Sequence, residues 1–196
     1  TTLATPVALT QLSAMLLWTV DLLMVGRLGV VPLNAVSLGR MWLMGTTICA
    51  SGLIFGLDPI ASQAHGARDR RRLGRVLLHG AAVALAASVP LVVLCTQTER
   101  VLLLFGQDPE TAALAHRYVV VQIPGLPFYL LYIVLKQYLQ ARGIVRPAMY
   151  VSFAGNGFNA VVNALLIYGL AGFPRLGAVG AGVATALTDF VLFGGL

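Results

Sequence analysis

The residue with the clearest capacity for chemistry is Asp21, a carboxylic acid inside an apolar stretch that ends at Arg27. A charge in such a stretch must find a partner or water, because an unpaired ion in an apolar medium is costly. Burial raises the pKa of carboxyl groups in general, so Asp21 is a candidate for proton exchange near neutral pH. Gln11 and Trp18 share its side of a helix, within an arc of about 80°. The alternative is a structural ion pair with Arg27 or with a neighbouring segment.

A second candidate is a row of polar residues, namely Ser152, Asn156, Asn159 and Asn163. On a helix these four fall within an arc of about 60°, so they form one polar stripe on an otherwise apolar surface. Such a stripe either lines an aqueous site, which the number of its members favours, or hydrogen-bonds neighbouring helices.

Depth connects these residues with Thr185 in the last apolar stretch. Counting 1.5 Å per residue from the ends of the stretches places Asp21 and Asn163 about 9 Å deep, Thr185 about 12 Å and Asn159 about 15 Å. We therefore expect these four to converge at one level. Their oxygen atoms suit a proton or Na⁺ rather than a transition metal. Arg40 lies near the same depth and could be the counter-ion of Asp21.

The composition places all of these residues in a membrane. Of 196 residues, 58% are hydrophobic and 10% are charged, whereas soluble domains carry about 25% charged residues. The mean hydropathy of +0.86 excludes a soluble enzyme, a disordered chain and a disulfide-framed secreted domain. The alternating pattern of a membrane β-barrel is not found in the sequence. The predicted fold is therefore an all-α membrane protein with six helices long enough to cross a bilayer, near 3–27, 33–57, 76–97, 117–141, 147–169 and 177–196.

Basic residues predict the orientation of these helices. Five arginines lie between positions 68 and 75, and Arg142 and Arg146 lie in the next connection on that side, whereas the opposite connections hold four. Because short cytoplasmic loops are rich in Arg and Lys, both termini are predicted to lie in the cytoplasm. The arginine cluster is thus interpreted as a topological signal rather than a nucleic-acid site. On the other side, the segment 99–114 predicts a short interfacial helix, with Asp108 as a cap before Pro109.

Several motifs follow one another along the chain. They are Pro6 and Gln11, the segments 20–29 (VDLLMVGRLG), 57–67 (LDPIASQAHGA) and 138–143 (YLQARG), Arg146-Pro147, Asn159 and Asn163 with Tyr168-Gly169, and 177–185 (GAVGAGVAT). Together they resemble the multidrug and toxic compound extrusion (MATE) transporters. Each motif alone is weak, but their order over nearly the whole chain makes the resemblance specific.

The resemblance implies a twelve-helix transporter with two six-helix lobes around a central cleft. This chain would be the amino-terminal lobe, with the carboxy-terminal lobe absent. The family exports organic cations or amphipathic drugs in exchange for H⁺ or Na⁺ and needs no further cofactor. The implied location is a bacterial inner membrane, with lipid around a multi-pass protein.

The resemblance also implies roles for single residues. Cation coupling would fall to Asp21, Asn159, Asn163 and Thr185, with Na⁺ as the alternative ion at these four, and bending of the first helix to Pro6. The position of Asn163 is an aspartate in some members, so this chain lacks one carboxylate, which favours H⁺. Arg40 and Asp189 fall outside the pattern, and Asp189, four residues after Thr185, could supply the missing charge. A cavity lining is predicted for Gln11, Trp18, Arg40, Asn156 and Asp189.

Three alternatives remain open at this point. A flippase for lipid-linked precursors or polysaccharides, of related fold, would need a strongly basic cavity, for which only Arg40 and Lys136 are candidates. An intramembrane enzyme is disfavoured, because no metalloprotease motif or Ser/His pair lies within a stretch. The chain also opens without Met and ends in its last stretch. We therefore expect it to be a piece of a longer protein and not to transport by itself.

Overall fold

The chain is helical throughout the part that its computed structural model describes. That part is residues 4–196, without the side chains of Ala4, Pro6 and Ala14. These residues form nine α-helices and one 3₁₀ turn, with no strand among them. The helices are α1 (Ala4–Gly26), α2 (Val30–Phe55), α3 (Asp58–Gly66), α4 (Arg70–Thr96), α5 (Thr98–Leu104), α6 (Pro109–Val120), α7 (Leu126–Ala141), α8 (Arg146–Tyr168) and α9 (Ala178–Gly194), and the 3₁₀ turn is Leu170–Gly172.

The lengths of these helices agree with a membrane protein. Within residues 4–196, four segments are long and apolar enough to cross a bilayer: Val7–Gly26, Val30–Gly66, Arg70–Thr96 and Arg146–Tyr168. The predicted stretch 177–196 corresponds to α9, which is apolar but has only 17 residues. The chain is thus an all-α protein of the membrane-spanning type.

The predicted stretch 117–141 is divided in the structure. α6 ends at Val120, the chain turns over residues 121–125, and α7 begins at Leu126. Pro124 explains the break, because proline has no N–H to donate and its ring clashes with the preceding helical turn. The break brings Gly125 against α9, where a Cβ on this glycine would lie 2.9 Å from the Ala186 Cα.

Both polar connections carry more helix than the sequence predicted. The arginine cluster forms the first turns of α4, which begins at Arg70, not at 76. Asp69 caps this helix, since its side chain accepts a hydrogen bond of 2.9 Å from the Arg72 N–H. On the other side, the short helix is present as α5, and Asp108 caps α6 by accepting from the Thr111 N–H at 3.1 Å.

Small residues let α9 approach its neighbours closely. α8 contacts both α1 and α9, and α9 also contacts α6 and α7. A Cβ added at Gly180 would lie 2.7 Å from the carbonyl oxygen of Leu166 in α8. One added at Gly182 would lie 2.6 Å from the carbonyl oxygen of Tyr118 in α6. The stripe of glycine and alanine in α9 therefore sets the distance between the helices that carry the polar residues.

Candidate cation-coupling site and cavity

Asp21 is completely buried and holds an ion pair across two helices. Its Oδ2 accepts a hydrogen bond from Nη2 of Arg40 in α2. Its Oδ1 accepts a hydrogen bond from Nδ2 of Asn163 in α8. The exposed fraction of Asp21 is 0%, so the carboxylate depends on these partners rather than on water. Arg40 is thus the counter-ion of Asp21. This is the ion pair with a neighbouring segment that the sequence left open as the alternative to proton exchange, and the partner is not Arg27.

The hydrogen bonds continue from Asp21 through α8 to α9. Nδ2 of Asn163 also donates to Oδ1 of Asn159 at 2.8 Å, and Nδ2 of Asn159 donates to Oγ1 of Thr188 at 3.2 Å. Thr188 in turn donates to the Ala184 carbonyl oxygen at 2.7 Å. Four helices, α2, α1, α8 and α9, are therefore joined by one buried polar network, of the kind that polarises its members cooperatively. Within the described side chains, Oδ1 of Asn163 has no hydrogen-bond partner.

Thr185 is outside this network, contrary to the expectation from depth. Its hydroxyl donates to the Ala181 carbonyl oxygen of its own helix at 3.0 Å, and its side chain lines a cavity. Thr188 has the position that the sequence assigned to Thr185, and only 1% of it is exposed. Depth counting fixes the level of a residue but not its rotation about the helix axis, and at about 100° per residue a step of three positions turns the side chain by about 60°. Thr188, three residues further on, was therefore missed.

The polar stripe of α8 serves two purposes along its length. Ser152 Oγ lies 2.8 Å from the Tyr132 hydroxyl of α7, and Nδ2 of Asn156 donates to the Ser13 carbonyl oxygen of α1 at 2.6 Å. Both residues also line the cavity. Asn159 and Asn163 are instead buried behind its wall, with 1% and 0% exposed. The stripe thus hydrogen-bonds neighbouring helices along its whole length, and it lines the cavity at Ser152 and Asn156.

A cavity of about 480 Å³ lies beside the buried network. It brings together side chains from α1, α2, α6, α7, α8 and α9. All five residues predicted to line a cavity are among them, together with Thr185: Gln11, Trp18, Arg40, Asn156, Thr185 and Asp189. The predicted hinge, Pro6, lies in α1, and its side chain is outside the described part of the chain.

Arg40 belongs to both the network and the cavity. Besides its contact with Asp21, its Nη1 donates to the Trp18 carbonyl oxygen at 2.9 Å. Its guanidinium carbon lies 5.9 Å from the centroid of the Trp18 ring, within the range of a cation–π contact. Arg40 therefore contacts both the buried carboxylate and the cavity.

Two further charged side chains line the cavity. Nζ of Lys136 donates a long hydrogen bond of 3.4 Å to Oε1 of Gln11. Asp189 has 8% of its surface exposed, and its carboxylate makes no hydrogen bond or ion pair with the residues that the structure describes. The cavity wall thus holds one carboxylate without a counter-ion.

Both carboxylate oxygens of Asp21 face N–H donors, one of which belongs to the Arg40 guanidinium. A hard cation needs several oxygen ligands, and both carboxylate oxygens of Asp21 already accept N–H groups. The guanidinium of Arg40 would also repel a second cation at this position. Across the described residues, no group of three or more His, Cys, Asp or Glu could hold a metal ion.

Comparisons with known proteins assign the chain to a family. The sequence model of the MatE family matches residues 6–165. The chain is 38% identical to multidrug and toxin extrusion protein 2 of Mus musculus, over 97% of the chain and 33% of the mouse protein. It is 36% identical to the probable multidrug resistance protein NorM of Bradyrhizobium diazoefficiens, over 97% of the chain and 41% of that protein.

A solved structure gives the same result for the fold. The outward-facing conformation of a multidrug resistance MATE family transporter of the MOP superfamily superposes with a TM-score of 0.88 and 27% identity. The match covers 97% of this chain and 42% of that one. The chain therefore spans between a third and about two-fifths of the length of these relatives, which corresponds to a single lobe.

Proposed function

Because the chain belongs to the MatE family, whose members are transporters and not enzymes, we propose that it is the amino-terminal lobe of a secondary antiporter. The antiporter exports organic cations or amphipathic drugs in exchange for protons. It works by alternating access in a bacterial inner membrane, together with a carboxy-terminal lobe. The observation that carries the proposal is that Arg40 pairs with the buried Asp21 and also lines the cavity.

The proton acts on the cavity through Arg40. While Asp21 is ionised, it neutralises the guanidinium of Arg40 on the cavity wall. When Asp21 takes up a proton, the ion pair is lost, and Arg40 presents an uncompensated positive charge to the cavity. Like charges at short range repel strongly where the effective dielectric constant is low. A cationic compound in the cavity is therefore bound less tightly after Asp21 is protonated.

The same coupling works in reverse, because an effect of one ligand on the affinity for another is reciprocal. Binding of a cationic compound favours the ionised form of Asp21 and so releases its proton. In a cycle of alternating access, a proton that enters from outside expels the compound there, and a compound that binds from the cytoplasm releases the proton inside. Because the proton and the compound each weaken the binding of the other, the coupling gives exchange rather than co-transport.

The choice of H⁺ over Na⁺ rests on the contacts of Asp21. Both of its oxygens face N–H donors, and Arg40 already provides the positive charge that a Na⁺ ion would bring. A proton needs no further oxygen ligands and binds to the carboxylate itself. Asn163, at the position where some family members carry an aspartate, contributes an N–H group here rather than a negative charge.

A flippase for lipid-linked precursors fits this cavity less well. A pyrophosphate group needs several free cationic side chains. Of the cavity-lining side chains in the described part, Arg40 and Lys136 are the basic ones, and Arg40 is paired with Asp21. Asp189 adds a negative charge to the same wall. This arrangement favours a cationic compound over an anionic lipid precursor.

The proposal is tested by proton-driven uptake of 1-methyl-4-phenylpyridinium into proteoliposomes that hold the intact protein. We expect Asp21→Asn to abolish uptake driven by an imposed pH gradient, because the variant cannot exchange a proton at this site. Glu110→Gln is the matched control: it removes an exposed carboxylate at the start of α6 and should leave uptake unchanged. Wild-type uptake by Asp21→Asn would exclude Asp21 as the coupling residue.

A further inference from the structure

We infer that Asp189 is the anionic contact for the positively charged group of the transported compound, at a position separate from Asp21. The inference rests on the proposed function, since it names the residue that holds the compound in the cavity of the proposed antiporter. The two carboxylates then have different roles, because Asp21 exchanges the proton and Asp189 holds the transported compound.

The burial of Asp189 is the first observation. More than nine-tenths of the residue is buried, yet it lines the cavity. Its carboxylate has neither a hydrogen bond nor an ion pair with the described residues, whereas Asp21 has both. A buried carboxylate without a partner is strongly unfavourable, so such groups are kept where a ligand or a proton completes them.

The two basic side chains that line the cavity, Arg40 and Lys136, already have other partners. Arg40 is paired with Asp21. Lys136 donates to Gln11 and lies eleven residues beyond Gly125, or about 16 Å along the α7 axis. Gly125 itself adjoins Asp189, because a Cβ at Gly125 would lie 2.9 Å from Oδ2 of Asp189. Neither basic side chain of the cavity is therefore paired with Asp189, so a bound cation can supply the missing positive charge.

The surroundings of Asp189 define the class of ligand. Tyr129 lines the cavity one turn after Gly125, and Tyr132 lines it one turn further along α7. Aromatic rings beside a carboxylate suit an organic cation, whose charge they stabilise through their faces. Apolar side chains also line the cavity, among them Met15, Leu17, Met44, Ile48 and Leu192. A volume of about 480 Å³ lies within the usual range for drug-sized ligands. The predicted ligand is thus a monovalent organic cation with an apolar body.

A pair of probes that differ by a methyl group and a charge tests this inference. 1-Methyl-4-phenylpyridinium is permanently cationic, whereas 4-phenylpyridine is neutral at mildly alkaline pH. Equilibrium binding of both is measured on the intact protein in lipid nanodiscs. We expect Asp189→Asn to weaken binding of the cation by about tenfold, the effect of losing one charged contact, and to leave the neutral probe unchanged. Asp189→Glu keeps the charge and should retain the preference for the cation.

Three results would overturn the inference. Equal weakening of both probes by Asp189→Asn would mean that the residue only maintains the shape of the cavity. Unchanged binding of both probes would mean that the cation binds elsewhere. Wild-type binding of the cation together with loss of pH-driven uptake would make Asp189 a proton-exchanging group. Asp189→Ser provides the same comparison if Asp189→Asn does not fold, and Glu110→Gln is the unaffected control in either case.

The inference and the proposed function can fail separately. If Asp21→Asn keeps pH-driven uptake while Asp189→Asn discriminates between the probes, the assignment of Asp21 is wrong and the inference about Asp189 stands. If Asp21→Asn abolishes that uptake and Asp189→Asn affects neither probe, the proposed coupling stands and the inference is wrong.

Discussion

At the scale of single residues, the ion pair between Asp21 and Arg40 is the decisive contact. A buried pair adds little net stability, because both charges lose their hydration, but removing one partner leaves the other uncompensated. Asp21 has no exposed surface and the Arg40 side chain has 15%. The pair is therefore sensitive to any event that neutralises one member, as protonation of Asp21 would.

This sensitivity gives a prediction about stability. Arg40→Gln should lower the free energy of unfolding by about 3 kcal/mol, because it leaves the Asp21 carboxylate buried without its cation. Adding Asp21→Asn to that variant should restore most of the loss, since two neutral amides can hydrogen-bond each other. Denaturant unfolding of the two single variants and the double variant in detergent micelles measures the coupling. Simple addition of the two single effects would show that the residues do not interact.

A second prediction separates the two threonines of α9. Thr188→Val removes the acceptor of the buried Asn159 amide and should cost about 1–3 kcal/mol of unfolding free energy. Thr185→Val removes a hydroxyl that bonds only to its own helix, and its cost should be below about 0.5 kcal/mol. The same unfolding assay measures both variants. A larger loss of unfolding free energy for Thr185→Val than for Thr188→Val would indicate that Thr185, not Thr188, belongs to the network.

The sequence alone identifies those site residues whose type is unusual in an apolar helix. A carboxylate, a guanidinium or an asparagine within such a stretch is informative by itself, and this led to Asp21, Arg40, Asn159 and Asn163. A threonine is common in membrane helices, because its hydroxyl can bond to the carbonyl oxygen one turn earlier. Thr188 therefore gave no signal that distinguishes it from Thr185, and only the rotation of α9 against α8 decides between them.

At the scale of helices, the close packing of α9 against α8 depends on glycine, which has no side chain, at the point of contact. Gly180→Ala should lower the free energy of unfolding by about 1–3 kcal/mol, because its Cβ would meet the backbone of Leu166 at 2.7–2.8 Å. Gly157→Ala is the matched control in α8, since no atom lies within 4 Å of its added Cβ. Thermal unfolding of both variants measures the difference. Equal stability of the two would mean that α8 and α9 can separate without cost.

The division of the predicted stretch 117–141 shows a limit of predicting helices from hydropathy. Hydropathy is an average over many residues and is insensitive to a single proline, so the stretch resembles one continuous helix. The local rule that proline interrupts a helix indicates a kink at Pro124 but not its size. The size depends on tertiary packing, because the turn at Gly125 is held against α9 near Asp189. The position of Asp189 beside a helix break could therefore not be derived from its own helix.

At the scale of the whole molecule, the arginine cluster predicts the orientation in the membrane. Arg71 is exposed in the first turn of α4, and Glu110 is exposed beyond the far end of this membrane-crossing helix. In intact cells, a membrane-impermeant thiol reagent should label Glu110→Cys but not Arg71→Cys, and in inside-out vesicles the pattern should reverse. The unsubstituted protein measures the background from Cys49, which is exposed. Labelling of Arg71→Cys in intact cells would invert the predicted topology.

The described part of the chain contains a polar network from α2 to α9, but in the proposed transporter the cleft is formed together with a second lobe. The chain spans 33–42% of the lengths of the relatives compared with it. We therefore expect the 196-residue chain alone to bind 1-methyl-4-phenylpyridinium without transporting it. Flux of this compound into proteoliposomes made with that chain alone is the measurement, and pH-driven uptake by it would contradict the two-lobe account.

The central claim is that protonation of Asp21 leaves the charge of Arg40 uncompensated on the cavity wall and so weakens binding of a cation. Proton release on ligand binding tests this claim most directly. The intact protein, in weakly buffered solution with a pH-sensitive dye, is mixed with 1-methyl-4-phenylpyridinium. The account predicts proton release by the wild type and none by Asp21→Asn or by Arg40→Gln, even where these variants bind the compound. Wild-type proton release from either variant while it binds would contradict the account.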